Sequence, residues 1–511
     1  MYPGTYARSH PDRIAVTMAG SDDRLTYAQL DERSARLARV FHDEGLRPGD
    51  VVALLTDNSV RAYEVYWAAA RSGLYLTAVN SHLTAAEAAY IVDNSGARAL
   101  VASAALGGLA RQVREQTPSV RLHLSYGGPV DGYRNYDAAL AEVSAEPLAD
   151  QPRGADMLYS SGTTGRPKGI RPALPDHQVD EAEVQLTTVL RRMYGVGEDT
   201  VYLSTAPLYH AAPLRWGAAV HALGGTVVVM ERFDAEAALA AVERHRVTHG
   251  QWVPTMFIRM LRLPAEVRTR YDLSSLRVAV HAAAPCPVEV KRAVIDWWGP
   301  VVYEYYASTE GCGMTFIDTP QWLERPGSVG RAVVGVPRVC DEEGREVPAG
   351  RVGTIYFERD AMPFEYHGDP EKTREAQHPD HPAWSTTGDV GYVDDDGYLY
   401  LTDRRSFMII SGGVNIYPQE TENLLALHPA VADIAVIGVP HPEMGEEVKA
   451  VVQPAAAARP GPELERELID YVRARIATYK APRSVDFVDE LPRTPTGKLA
   501  KGPLMERYRH P

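Results

Sequence analysis

Cysteine is almost missing from this 511-residue chain: Cys286, Cys312 and Cys340 are the three present, and no CxxC pair occurs. A disulfide framework and a cysteine zinc site are therefore unsupported, and a reducing, cytoplasmic setting is expected. Positive charge is also short, with 53 Lys and Arg against 67 Asp and Glu and a formal net charge of -14. Duplex nucleic acid, which demands a clustered basic surface, is not an expected partner. Long apolar runs are absent too, and the opening MYPGTYARSHPDR has no basic stretch followed by an apolar one. Neither a transmembrane segment nor a secretory leader is expected. Any polyanionic ligand has to be held by local groups.

The length exceeds what one hydrophobic core usually organises, so at least two folding units are expected. Thr26 and Gln29 have the spacing of a capping box, and Leu30, Leu37, Ala38 and Phe41 then recur at helical period until Gly45. VVALLTDN follows as a buried strand. Further β-rich runs lie at 99–103, 226–230, 276–280 and 301–305, with helical patterns such as 235–245 between them. Such alternation predicts an α/β fold: a large N-terminal domain, 1–403, of mainly parallel sheets packed with helices. From about residue 404 short strand-like pieces (VADIAVIGVP, EVKAVVQP) and a helix over 463–476 are divided by Pro and Gly, which reads as a small C-terminal α+β domain, 404–511. No long flexible linker separates the two, so a short hinge is expected.

DMLYSSGTTGRPKGI, 156–170, sets apolar residues before a turn of small and hydroxyl residues that ends in Lys168. Ser160, Ser161, Gly162, Thr163, Thr164 and Gly165 offer hydroxyls and exposed N–H groups, and Lys168 a cation, as a phosphate-gripping loop requires. The Lys168–Gly169 step does not fit a Walker A loop. A plain surface turn is the alternative.

This loop resembles the signature of the adenylate-forming enzymes, the superfamily of acyl-CoA synthetases, luciferases and adenylation domains. YYASTEG at 305–311 resembles the family's aromatic-Gly-x-Thr-Glu element, STTGDVGYVDDDGYLYLTDR at 385–404 its ribose-binding segment, and LPRTPTGKLAK at 491–501 its terminal lysine motif. In order and spacing these cover most of the chain. The resemblance implies that Tyr306 packs on adenine, that Thr309 contacts the α-phosphate and that Glu310 holds Mg²⁺, a hard cation suited to a carboxylate. It implies that Asp389 and Arg404 bind the ribose hydroxyls and that Lys498 neutralises charge as pyrophosphate leaves. Without the family, Tyr306 reads as strand core, Asp389 as a turn residue and Lys498 as a solvated charge.

SGGVNIYPQE, 411–420, resembles the loop that faces the pantetheine channel, which assigns Gly412 and Gly413 to CoA; they serve equally as a hairpin turn. Ser406 stands where the family's pivot is usually Asp or Lys. PLYHAAPLRW, 207–216, resembles the acyl-pocket wall with His210 as a gate, and a packed histidine is the even alternative. HAAAPCP, 281–287, resembles the family's Gly-Gly-Ala-Pro turn near adenine, which places Ala283 at the nucleotide. Cys286 and Cys312 lack a Cys/His framework and read as pocket wall.

The family implies ATP-dependent conversion of a carboxylic acid to an acyl adenylate, followed by transfer to CoA with release of AMP. No aspartate between Tyr209 and Trp216 is available to pair with a substrate ammonium, so a fatty, aromatic or other hydrophobic acid is expected. A ligase that loads an acyl carrier protein is one alternative, and a nucleotide-binding protein without turnover is another.

Overall fold

The computed structural model describes every residue except 161–166, 182, 405–406, 413, 494–498 and 510–511; at 403, 404 and 509 the main chain alone is described. Among the described residues the strands form five sheets. Two of them carry the parallel character expected from the alternating pattern. One is six-stranded, with Val51–Leu55 between Tyr75–Val79 and Ala97–Ser103, all in parallel register. Every residue of Val51–Leu55 and Tyr75–Val79 is buried, as happens when both faces of a parallel sheet are covered.

The other is seven-stranded and runs in the order Val302–Glu304, Val278–His281, His249–Trp252, Val201–Ser204, Thr226–Val229, Ile14–Met18, Arg24–Thr26, antiparallel only at the last pair. Helices Tyr27–Asp43, Arg61–Ala70 and Ala211–Ala222 join residues of both sheets in one core, where Leu30, Leu37, Trp67, Leu214 and Trp216 meet Val52, Leu54, Val16 and Val227. The first of these helices starts on the predicted capping box: the Thr26 hydroxyl accepts from the Gln29 N–H, and the Gln29 side chain accepts from the Thr26 N–H.

Residues 314–404 contribute a layer that the sequence pattern did not reveal, a seven-stranded antiparallel sheet containing Gly353–Glu358, Asp389–Val393 and Leu399–Arg404. A small three-stranded sheet sets Lys168–Arg171 between Leu158–Ser160 and Glu365–Tyr366. The C-terminal part has its own five-stranded sheet, built on the long pair Val431–His441 and Gly445–Pro454 and covered by helices Pro418–Leu425 and Pro462–Arg473. The helix Pro462–Arg473 ends three residues before the expected point.

The two parts touch where the Arg262 guanidinium donates to the Val431 and Ala432 carbonyls, each at 3.0 Å. Among the described residues no helix is long and apolar enough to cross a membrane.

Candidate active site

Open α/β sheets place ligands beyond the carboxyl ends of their parallel strands. Three predicted segments leave such ends of one sheet. Thr205–His210 follows Val201–Ser204, Ala282–Ala284 follows Val278–His281, and Tyr305–Glu310 follows Val302–Glu304. The antiparallel layer brings Asp389, and the three-stranded sheet brings Lys168, to the same region.

The Tyr306 hydroxyl donates to Asp389 Oδ2 at 2.6 Å, and the Thr387 hydroxyl donates to the same oxygen at 2.8 Å. Asp389 is 6% exposed. Burial, then the Asp389 carboxylate, pushes the Tyr306 phenol well above its ordinary range, so it stays a proton donor. Two predicted nucleotide residues, 83 positions apart in sequence, thus form one hydrogen-bonded unit. Asp389 also sits opposite Arg404 in the strand register. A narrow recess beside the Tyr306 ring is lined by Ser308, Gly313, Phe357 and Thr386. Gly313 is required there, because a Cβ would lie 2.0 Å from the Phe357 ring.

Ala283 adopts φ +78, a left-handed conformation that costs an alanine free energy and a glycine almost none. Beneath this turn lies a buried ion pair, Lys291 Nζ to Glu304 Oε2 at 2.6 Å, with the ammonium 4.7 Å from the Trp322 ring centroid. Burial raises the Glu304 carboxyl, whereas burial and then Lys291 hold His281 far below its usual range, so His281 is neutral.

The Thr309 carbonyl accepts from Arg215 at 3.3 Å, and Arg215 pairs with Asp156 at 2.6 Å. Arg215 therefore ties the segment 207–216 to Asp156, in the strand Ala155–Asp156, and to the Thr309–Glu310 element. Glu310 Oε1 accepts from the Tyr366 hydroxyl at 3.0 Å, and Lys168 Nζ lies 5.5 Å from the centroid of the same Tyr366 ring. Ser160 faces Lys168 across the hairpin register, so both stems of the predicted phosphate loop are present. Residues 161–165 at its tip lie outside the described residues. Burial, then Lys372, lowers the Lys168 ammonium. Bringing phosphate oxygens alongside would favour its charged form.

His210 immediately precedes helix Ala211–Ala222 without a side-chain capping hydrogen bond, its ring 4.3 Å from that of Tyr209. In the same segment Trp216 stacks between Tyr202 and Tyr305, at 6.1 and 5.8 Å. Gly412 adopts φ +58 in the turn between Ile409–Ser411 and Val414–Ile416, and a Cβ there would meet Met444 Cε at 2.4 Å. Gly413, Ser406, Lys498 and the side chain of Arg404 are outside the described residues. The segment before Lys498 is anchored by an ion pair of Arg493 with Asp433, and the segment after it by Lys501 with Glu422 at 2.8 Å. Burial pushes the Cys312 thiol up to about 11 and raises Cys286 further, so neither offers a thiolate near neutral pH.

Sequence reasoning missed Tyr366, Arg215, Asp156 and Thr387. Asp156, Arg215 and Thr387 carried a signal, since all three fall inside quoted motifs, and Tyr366 carried none. Among the described residues no three His, Cys, Asp or Glu side chains cluster as a metal cage. Glu310 beside Lys168 fits magnesium in the way that ion is usually held with nucleotides, by one carboxylate plus phosphate oxygens.

The AMP-binding enzyme family matches residues 5–367, and the AMP-binding enzyme C-terminal domain matches 420–498. A feruloyl-CoA synthase from an Amycolatopsis species is 37% identical, over 99% of this chain and 98% of its own. A fatty acid–[acyl-carrier-protein] ligase, ScoC, from Streptomyces coeruleorubidus is 33% identical over 98% and 95%. Among solved structures, ATP-bound MatB from Rhodopseudomonas palustris superposes with a TM-score of 0.85 at 29% identity, covering 100% of this chain and 99% of that one. The chain therefore belongs to the AMP-binding enzyme family and is an acid–thiol ligase of the adenylate-forming, acyl-CoA synthetase type.

Proposed function

We propose that the enzyme activates a hydrophobic carboxylic acid, an aromatic one included, to its acyl adenylate and then transfers the acyl group to CoA. The observation that carries this reading is the convergence of four motifs. Tyr306 joins Asp389, Arg215 joins Thr309 to Asp156, and Tyr366 joins Glu310 to Lys168.

In this account Tyr306 and Asp389 seat adenosine, and Thr309 contacts the α-phosphate. Lys168, Ser160 and the loop 161–165 hold the departing pyrophosphate. Bound with ATP, Mg²⁺ supplies neutralisation of phosphate charge, and Glu310 is the carboxylate that holds it. Lys498 neutralises the charge that develops as the substrate carboxylate attacks, a contribution of electrostatic stabilisation. Residues 404–511 act as a lid: rotation about Ser406 withdraws Lys498 and presents Gly412 and Gly413 to the CoA thiol. The apolar character of the segment 207–216, in which Trp216 stacks with Tyr202 and Tyr305, supports an apolar acyl group. A cytoplasmic setting is part of this reading, supported by the free cysteines and by CoA as co-substrate.

Hydroxylamine trapping across acids of varied length and aromaticity tests the first half-reaction, with hydroxamate expected from apolar acids and none from amino acids. A second reading, transfer to a carrier protein's phosphopantetheine, is favoured by the similarity to ScoC. Presenting CoA and holo-carrier protein in parallel separates the two: thioester on CoA supports the first reading, and thioester on the carrier alone supports the second.

A further inference from the structure

Tyr366 touches both ends of the phosphate site yet belongs to none of the recognised motifs. It sits in the strand Glu365–Tyr366, opposite Ile170 in the strand that begins with Lys168. Its position is set from several sides. The Tyr366 N–H donates to Thr373 Oγ1 at 2.9 Å, the Asp369 N–H donates to the Tyr366 carbonyl at 3.1 Å, and the Phe364 ring meets its ring edge-on at 5.0 Å. The next residue closes the register, the His367 N–H donating to the Gly169 carbonyl at 2.8 Å. From this fixed base the phenol reaches Glu310 Oε1 with its hydroxyl while its ring lies against the Lys168 ammonium.

We propose that Tyr366 is a positioning residue of the phosphate site: its hydroxyl holds the Glu310 carboxylate in the orientation that takes a divalent cation, and its ring steers Lys168. The proposal rests on the reading of Glu310 as the metal-holding carboxylate. The two contacts have different chemistry. A hydroxyl donated to one oxygen of a carboxylate fixes its rotation and leaves the second oxygen, Glu310 Oε2, with no protein hydrogen bond among the described residues. An aromatic face attracts an ammonium whatever the metal does, and here it offsets the neighbouring charge of Lys372. Hydroxyl and ring are thus separable by substitution.

The test is calorimetric binding of ATP without acid substrate, at a series of Mg²⁺ concentrations and in EDTA, with melting temperature as the folding control. Tyr366→Phe is expected to raise the Mg²⁺ concentration for half-maximal ATP binding about tenfold, the scale of one hydrogen bond to a charged group, and to leave ATP binding in EDTA unchanged. Tyr366→Leu is expected to add a loss of ATP affinity that persists in EDTA. Tyr366→Phe combined with Glu310→Gln is expected to bind no more weakly than Glu310→Gln alone, because the hydroxyl acts through that carboxylate. An unchanged Mg²⁺ dependence in Tyr366→Phe, an equal loss with and without Mg²⁺, or additive effects of the two substitutions would overturn the positioning role. If Glu310→Gln itself leaves the Mg²⁺ dependence intact, the assignment of Glu310 falls, a failure distinct from that of Tyr366 alone.

Discussion

At the residue scale, the Tyr306–Asp389 hydrogen bond gives a second purpose to a side chain expected only to lie on adenine. Its hydroxyl orients a carboxylate that, in the proposed function, accepts hydrogen bonds from ribose. Tyr306→Phe keeps the ring and releases Asp389, and is expected to raise KM for ATP about tenfold with a smaller change in kcat. Asp389→Asn, which replaces the acceptor by an amide, is expected to cost more. Steady-state kinetics with a saturating acid checks both, and an unchanged KM in Tyr306→Phe would remove the phenol from nucleotide binding.

The strain at Ala283 belongs to this scale as well. Alanine in a left-handed conformation persists where surrounding structure fixes the backbone, here the end of strand Val278–His281 above the Lys291–Glu304 pair.

At the scale of elements, the site is held by strand ends, and the buried Lys291–Glu304 pair bridges two of them: Glu304 ends one strand, and the helix bearing Lys291 follows the other. Removing one partner strands a charge in the core. Lys291→Met is expected to destabilise the N-terminal domain by about 3–5 kcal/mol, and Lys291→Met with Glu304→Leu to recover most of that. Urea titration of the three proteins decides it; a single variant as stable as the wild type would mean that Glu304 is already protonated.

The same scale shows what the sequence could and could not reveal. Parallel strands such as Val51–Leu55 were legible because they are short, wholly apolar runs, this one preceded by a helix that starts on a capping box. The antiparallel layer of 314–404 was not, because its strands are short and half exposed, as in Val336–Cys340, and their pairing is non-local. Tyr366 was invisible for a related reason. Its partners lie 56 positions upstream at Glu310 and farther still at Lys168, and no local pattern marks such a contact. Ser160 and Lys168 could be singled out because the small, hydroxyl and basic residues of their loop carry their own chemistry, whereas Tyr306, Thr309, Glu310 and Asp389 were singled out only through the family resemblance of their motifs.

At the scale of the whole molecule, acid should be the weakness of the N-terminal domain. Burial lowers His221 to about 3 and holds His281 well below its usual range, so both are neutral in the folded state and protonate on unfolding near the ordinary value of about 6.5. A depressed folded pKa gives stability that is complete above the unfolded value and is lost as pH falls. Between pH 7.5 and 5.0 each should cost about 2 kcal/mol, offset in part by Glu304, whose raised carboxyl acts in the opposite direction. All 7 tryptophans precede residue 385, so their fluorescence reports this domain, and its urea midpoint is expected to fall steadily over that range. A flat midpoint would contradict the neutral, buried state of these histidines.

The domain arrangement sets the remaining test. Arg493 and Lys501, on either side of residues 494–498, pair with Asp433 and Glu422, in a part that Arg262 contacts from the N-terminal domain. Acid-dependent ATP–pyrophosphate exchange, measured on the wild type and on Lys498→Ala, addresses the central claim directly. Exchange in the wild type is expected to require a carboxylic acid and to fall at least about a hundredfold in Lys498→Ala; exchange that persists unchanged in the variant, or fails to appear in the wild type with any acid, would contradict adenylate formation assisted by Lys498.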